Sequence, residues 1–178
     1  MPLGFAHSPD GAVAAATAWL ATVEGSGVLD GRRQHDVLAA IGDPGFVAGA
    51  SSRLADRAAA LGLDASGRPG SGYVMATAWA SRGAYRVASY GTAAARIEVW
   101  HLYQLEVVAP GAQPGPGRWR RATIALRWDA GASDWRITAD FQFADGPDPQ
   151  VANPSRLERA ESLAGLGAGW RLYADAQE

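Results

Sequence analysis

Cysteine is absent from the 178 residues. Disulfides, thiolate metal sites and cysteine nucleophiles are thereby excluded from whatever the chain does. Lysine is absent too: all 16 basic residues are arginine. Together with abundant Ala and Gly, this reads as the codon bias of a GC-rich genome and carries no functional weight. A formal net charge of −2 gives no electrostatic case for nucleic acid. The longest apolar run near the N-terminus, 11–23, is too short and too rich in Ala to span a bilayer. No basic stretch precedes it as one would in a signal peptide. The chain is expected to be soluble as given, with any membrane anchor outside this sequence.

Several site signatures are missing as well. No glycine-rich loop joins a strand to a helix with dinucleotide or Walker spacing, so no nucleotide is expected. No pair of the three histidines, His7, His35 and His101, has metal-ligand spacing. No serine stands in a nucleophile-elbow context; Ser26 and Ser71, each between two glycines, read as flexible loops. No cofactor and no metal are expected.

What is present is a core. With 48% hydrophobic residues and seven Trp, a chain of this length buries roughly 70% of the surface its unfolded form exposes. The residues 93–108, AAARIEVWHLYQLEVV, run without Pro or Gly. Ile97, Val99, His101, Tyr103, Leu105 and Val107 alternate with Glu98, Trp100, Leu102, Gln104 and Glu106. That period of two predicts a long central strand covered on both faces for part of its length.

Helices come first in the chain. Ser8-Pro9 supplies a cap followed by Pro at the first helical position, predicting a helix to about Glu24 with Val13, Thr17, Leu20 and Val23 or Glu24 on its stripe. Asp30 caps a second helix carrying Val37, Leu38 and Ile41. Asp43-Pro44 repeats the cap-then-Pro pattern for a third, to about Leu61, with Phe46, Val47, Ala50, Leu54, Ala58 and Leu61 on one side. Strands are then predicted over 73–80, 84–90, 93–108, 119–128 and 135–143. In the last, Trp135, Ile137, Ala139, Phe141 and Phe143 point inward. Residues 144–155 read as a Pro/Gly linker and 155–164 as a short helix. Trp170 to Tyr173 form an apolar clasp.

Helices followed by a run of strands make an α+β fold. Three N-terminal helices are expected on a curved antiparallel sheet of four to five strands, in the manner of a nuclear-transport-factor-2-like (cystatin-like) cone. Residues 1–143 form the domain, 144–155 the linker and 156–178 a C-terminal segment docking on it.

Three stretches carry a resemblance: PLGFAHSPDGAVAAATAWLA at the start, AYRVASYGTAAARIEVW, and ATIALRWDAGASDWRITADFQFADGPDP. In this order they resemble the extracytoplasmic domain of a protein family of conjugative elements from GC-rich Gram-positive bacteria. That family is similar in fold to scaffold subunits of type IV secretion channels. The chain departs from its pattern in lacking the transmembrane segment and in the polar residues His101 and Gln104. The resemblance implies an extracytoplasmic, membrane-anchored parent protein. It also implies a non-enzymatic scaffold or interaction role in conjugative transfer or secretion, with protein partners or self-association.

Two groups of residues are candidates for function. His101 and Tyr103 share a face of the central strand and would be polar groups in an apolar cavity, the usual makeup of a small-molecule site. With Asp140 as a base they could support isomerase- or cyclase-like chemistry, although alternation turns Asp140 away from Trp135, Ile137 and Phe141. On the opposite face, Trp100 and Leu102 could dock another subunit or lie under the C-terminal segment. Arg118, Arg120 and Arg121 could meet an acidic partner or form a solvated strand edge. The non-enzymatic reading leads, and the enzyme is its alternative.

Overall fold

The computed structural model describes residues 1–149, 151 and 153–173. Gln150 and Ala152, in the expected linker, and 174–178, in the expected C-terminal segment, lie outside the described residues.

Three helices come first: α1 (Pro9–Val23), α2 (Gly31–Ile41) and α3 (Pro44–Ala60). Ser8 caps α1 by accepting from the Gly11 N–H at 3.0 Å, and Asp30 caps α2 by accepting from Arg32. Asp43 makes no such side-chain cap on α3. Its carboxylate accepts instead from the Arg127 guanidinium at 2.9 Å, and Pro44 alone presets the first turn.

Six strands follow: β1 (Tyr73–Tyr90), β2 (Ala94–Val108), β3 (Arg118–Asp129), β4 (Asp134–Ile137), β5 (Gln142–Asp145) and β6 (Arg171–Leu172). A fourth helix, α4 (Arg156–Leu163), precedes the last. The strand order is β4-β3-β2-β1-β6, all antiparallel, with β5 also pairing β3. The fold is thus α+β, with one strand more than the sequence suggested.

The two strands expected at 73–80 and 84–90 are one long strand. Five steps from Trp79 to Ala84 face only two from Leu102 to Trp100, so three extra residues bulge out between them. Gly83 permits this close passage: a Cβ there would stand 1.7 Å from the Trp100 carbonyl oxygen. The strand expected at 135–143 breaks in two. Five steps from Ile137 to Gln142 face three from Leu126 to Thr123, leaving two extra residues. An even insertion preserves alternation, so Ile137 and Phe143 still face the helices, but Ala139 is exposed rather than inward.

The main core lies between the helices and one sheet face. Trp19, Leu20, Leu38, Phe46 and Leu54 meet Ile97, Val99, Tyr103, Ile124 and Trp135 there. Each such apolar side chain contributes about 1.5–3 kcal/mol by leaving water. A smaller core on the other face joins Ala84, Trp100 and Trp119 to Leu163, with Leu102, Leu166, Trp170 and Leu172 packed around it. The C-terminal segment supplies the covering half of this second core.

Candidate functional site

The most distinctive polar arrangement sits where the end of α1 meets α3, β3 and the break between β4 and β5. Glu24 is the residue following α1, and its side chain is fully buried. Arg53 and Arg57, one turn apart on α3, each bring a guanidinium to its Oε1 at 3.2 Å. Arg120 of β3 approaches Oε2 at 3.5 Å. One carboxylate thus serves three arginines.

Arg53 faces a second anion. Its Nε donates to Asp140 Oδ2 at 3.0 Å and its Nη2 to Oδ1 at 2.9 Å, a bidentate fork that fixes geometry as well as energy. The two-residue bulge of the broken strand accounts for this placement: it carries Asp140 out of the alternation and toward α3. Burial lowers the Arg53 pKa, but Asp140 and then Glu24 outweigh it and the net shift is upward.

Aromatic rings complete the site. The Arg120 guanidinium carbon lies 3.6 Å from the Phe143 ring centroid and 4.2 Å from that of Tyr103, between the two. Burial pulls the Arg120 pKa down, and Glu24 opposes it. The Tyr103 hydroxyl is pushed up, first by burial and then by Glu24. His101 follows on the same strand face, its ring 6.5 Å from Tyr103 and its Nδ1 donating to the Val99 carbonyl at 3.3 Å. Burial drives its pKa down to about 4, so the imidazole is neutral at physiological pH. Among the described residues, the Tyr103 hydroxyl, His101 Nε2 and Arg120 Nε have no hydrogen-bond partner.

The sequence candidates His101, Tyr103 and Asp140 therefore belong to one neighbourhood, Asp140 joining through Arg53, Glu24 and Arg120. The sequence reading overlooked Glu24, Arg53, Arg57 and Phe143 as members. Its one available signal was a Glu on the apolar stripe of the first helix. Arg53 and Arg57 flank the α3 stripe and read locally as solvated.

The site meets solvent at a depression of about 330 Å³ lined by Arg118, Arg120, Phe143, Ala144 and Asp145. Both carboxylates are held in ion pairs, the imidazole is neutral and the phenol stays protonated. Among the described residues no group of three or more His, Asp or Glu side chains could hold a metal ion.

The opposite face differs from the docking surface that Trp100 suggested. Trp100 is fully buried, its ring stacked 4.1 Å from Trp119 and its Nε1 donating to the Pro147 carbonyl at 3.1 Å. The C-terminal segment covers it, and Leu102 is half-buried against the same cluster. Nor do Arg118, Arg120 and Arg121 form a solvated edge. Their strand pairs with β2 on one side and with β4 and β5 on the other. Arg118 is exposed, Arg120 turns inward, and Arg121 lies opposite Trp100 in the register, half-buried.

No protein-family model, curated protein or solved structure matches the chain. No helix among the described residues is long and apolar enough to cross a membrane.

Proposed function

We propose that this chain is a non-enzymatic interaction domain, a scaffold or accessory part of a conjugative transfer or secretion apparatus. Its fold is read as a nuclear-transport-factor-2-like cone, with which the α+β layout and six-stranded antiparallel sheet are compatible. The extracytoplasmic location and anchored parent come from the resemblance in the sequence. The observation that carries the non-enzymatic half is the state of the interior. Trp19, Phe46, Tyr103 and Trp135 fill it with at most 2% exposure, and Glu24 and Asp140 at its end are held in ion pairs with arginine. A site built for acid–base chemistry keeps a titratable group free to exchange protons with a substrate.

The test is an in-frame deletion of the chain from an element that encodes it, read as transfer frequency. A loss of transfer that the intact chain restores supports the reading; unchanged transfer overturns it.

A second reading has one observation in its favour. Among the described residues, polar atoms of Tyr103, His101 and Arg120 have no partner, and Arg120 lines an open depression; buried polar groups ordinarily have partners. A small-molecule enzyme or binding protein of isomerase or cyclase type would use them.

A further inference from the structure

We propose that the free edge of β1 is a self-association surface, on which a second copy of this chain pairs antiparallel through Tyr73–Trp79. The proposal rests on the interaction-domain reading and names its partner and place.

The first observation is an open backbone edge. Along Tyr73–Trp79 the register with β2 is unbroken, from Val108 to Leu102. On the other side, among the described residues, β1 has β6 as its one neighbouring strand, paired at Ala84 and Tyr85. Among the described residues, no backbone or side-chain hydrogen bond meets Tyr73–Trp79 from that side. Among the described residues, this seven-residue stretch of strand ends the sheet with its outward donors and acceptors unused. Native sheets blunt such an edge with charge, Pro, a bulge or a covering segment.

The second observation is the sequence of that edge. Tyr73-Val74-Met75-Ala76-Thr77-Ala78-Trp79 holds no charged residue and no Pro. The bulge and the first charge, Arg82, come beyond it in sequence, the Arg82 guanidinium carbon lying 5.5 Å from the Trp79 ring centroid. Nothing in the stretch repels a copy of itself, whereas a partner strand of either charge would gain no complement here.

The third is self-complementarity. An isologous pair places a two-fold axis at the centre of the shared strand, which for Tyr73–Trp79 is Ala76. Tyr73 then stands opposite Trp79 of the other copy, twice, on the face carrying Met75 and Thr77. Aromatic cross-strand pairs are among the stabilising ones, and Tyr73 is 47% exposed in the single chain. Val74 meets Ala78 on the core side, and the two six-stranded sheets become continuous.

Light scattering of the full chain over a concentration series tests this. The expected result is a species of twice the 18.6 kDa monomer mass that Thr77→Lys converts to monomer while the near-ultraviolet dichroism of the Trp residues is kept. Because the chain has no cysteine, Ala76→Cys supplies an independent check. Directly opposed strand residues lie within disulfide reach, so mild oxidation yields a covalent dimer. A monomer at every concentration overturns the proposal, as does a dimer that Thr77→Lys leaves intact and Ala76→Cys does not cross-link. Failure of the interaction reading is a separate result. Unchanged transfer on deletion removes it whatever the mass, whereas lost transfer with a strictly monomeric chain removes the edge alone.

Discussion

Glu24 is the residue on which the site's electrostatics turn. Three guanidinium groups converge on a carboxylate that has no contact with water, and Asp140 engages only Arg53 among them. Replacing Glu24 with Gln leaves Arg57 and Arg120 close together without their shared anion. Removing one partner of a buried pair costs about 3–5 kcal/mol. The Glu24→Gln variant is expected to lose stability of that order in urea unfolding, and a change below about 1 kcal/mol would show the cluster to be solvated instead.

His101 gives a prediction in pH. Its pKa falls from 6.5 to about 4 on folding because burial disfavours the imidazolium. Above 6.5 both states are neutral and the group adds no pH dependence. Between 6.5 and about 4 the unfolded chain takes up a proton that the folded chain refuses, so stability declines as the pH falls through this window. The slope is about 1.4 kcal/mol per pH unit. A His101→Gln variant loses this component, and the two stability curves should converge as the pH falls. Parallel curves would mean that the imidazole is solvated.

At the scale of elements, periodicity and caps made much of the fold legible. Ser8-Pro9, Asp30 and Asp43-Pro44 each stand at the start of an observed helix, and the alternation over 93–108 gave the inner and outer faces of β2 correctly. The bulges were not legible. Whether Ser81, Arg82 and Gly83 end a strand or bulge within one depends on the Trp100 carbonyl passing beside Gly83, a contact far off in the sequence. Gly83→Ala should cost about 1–3 kcal/mol, the range for crowding a well-packed site; thermal unfolding of this variant checks it, and an unchanged midpoint would mean that the bulge absorbs the methyl group. The same limit hid the site. Glu24 reads as a polar residue at a helix end until α3 and β3 bring three arginines to it, and Asp140 faces outward until two extra residues rotate the chain.

The C-terminal segment is the element whose removal is most visible. Leu163, Leu166, Trp170 and Leu172 cover Trp100 and Trp119. Truncation after Asn153 should expose that stacked pair and shift tryptophan emission to the red, with apolar dye binding as a second readout. An unshifted spectrum would show that the sheet face closes without the segment.

For the whole molecule, the layout is a sheet with one face built into a helical core, its opposite face partly capped by the chain's own C-terminal segment, and one long strand edge unpaired among the described residues. The interior is filled by Trp19, Phe46, Tyr103 and Trp135, and at its end Glu24 and Asp140 are each paired with arginine. Of the three polar atoms there that have no partner among the described residues, the Tyr103 hydroxyl can be deleted without altering shape. Tyr103→Phe removes an unpartnered buried group, so folding stability should stay the same or rise by about 1 kcal/mol.

The decisive measurement is transfer frequency from an element deleted for this chain and complemented with Tyr103→Phe. A scaffold with a filled interior restores transfer to the level of the unaltered chain. A folded, stable Tyr103→Phe protein that fails to restore it would move the function from the surface of the domain to chemistry at its centre.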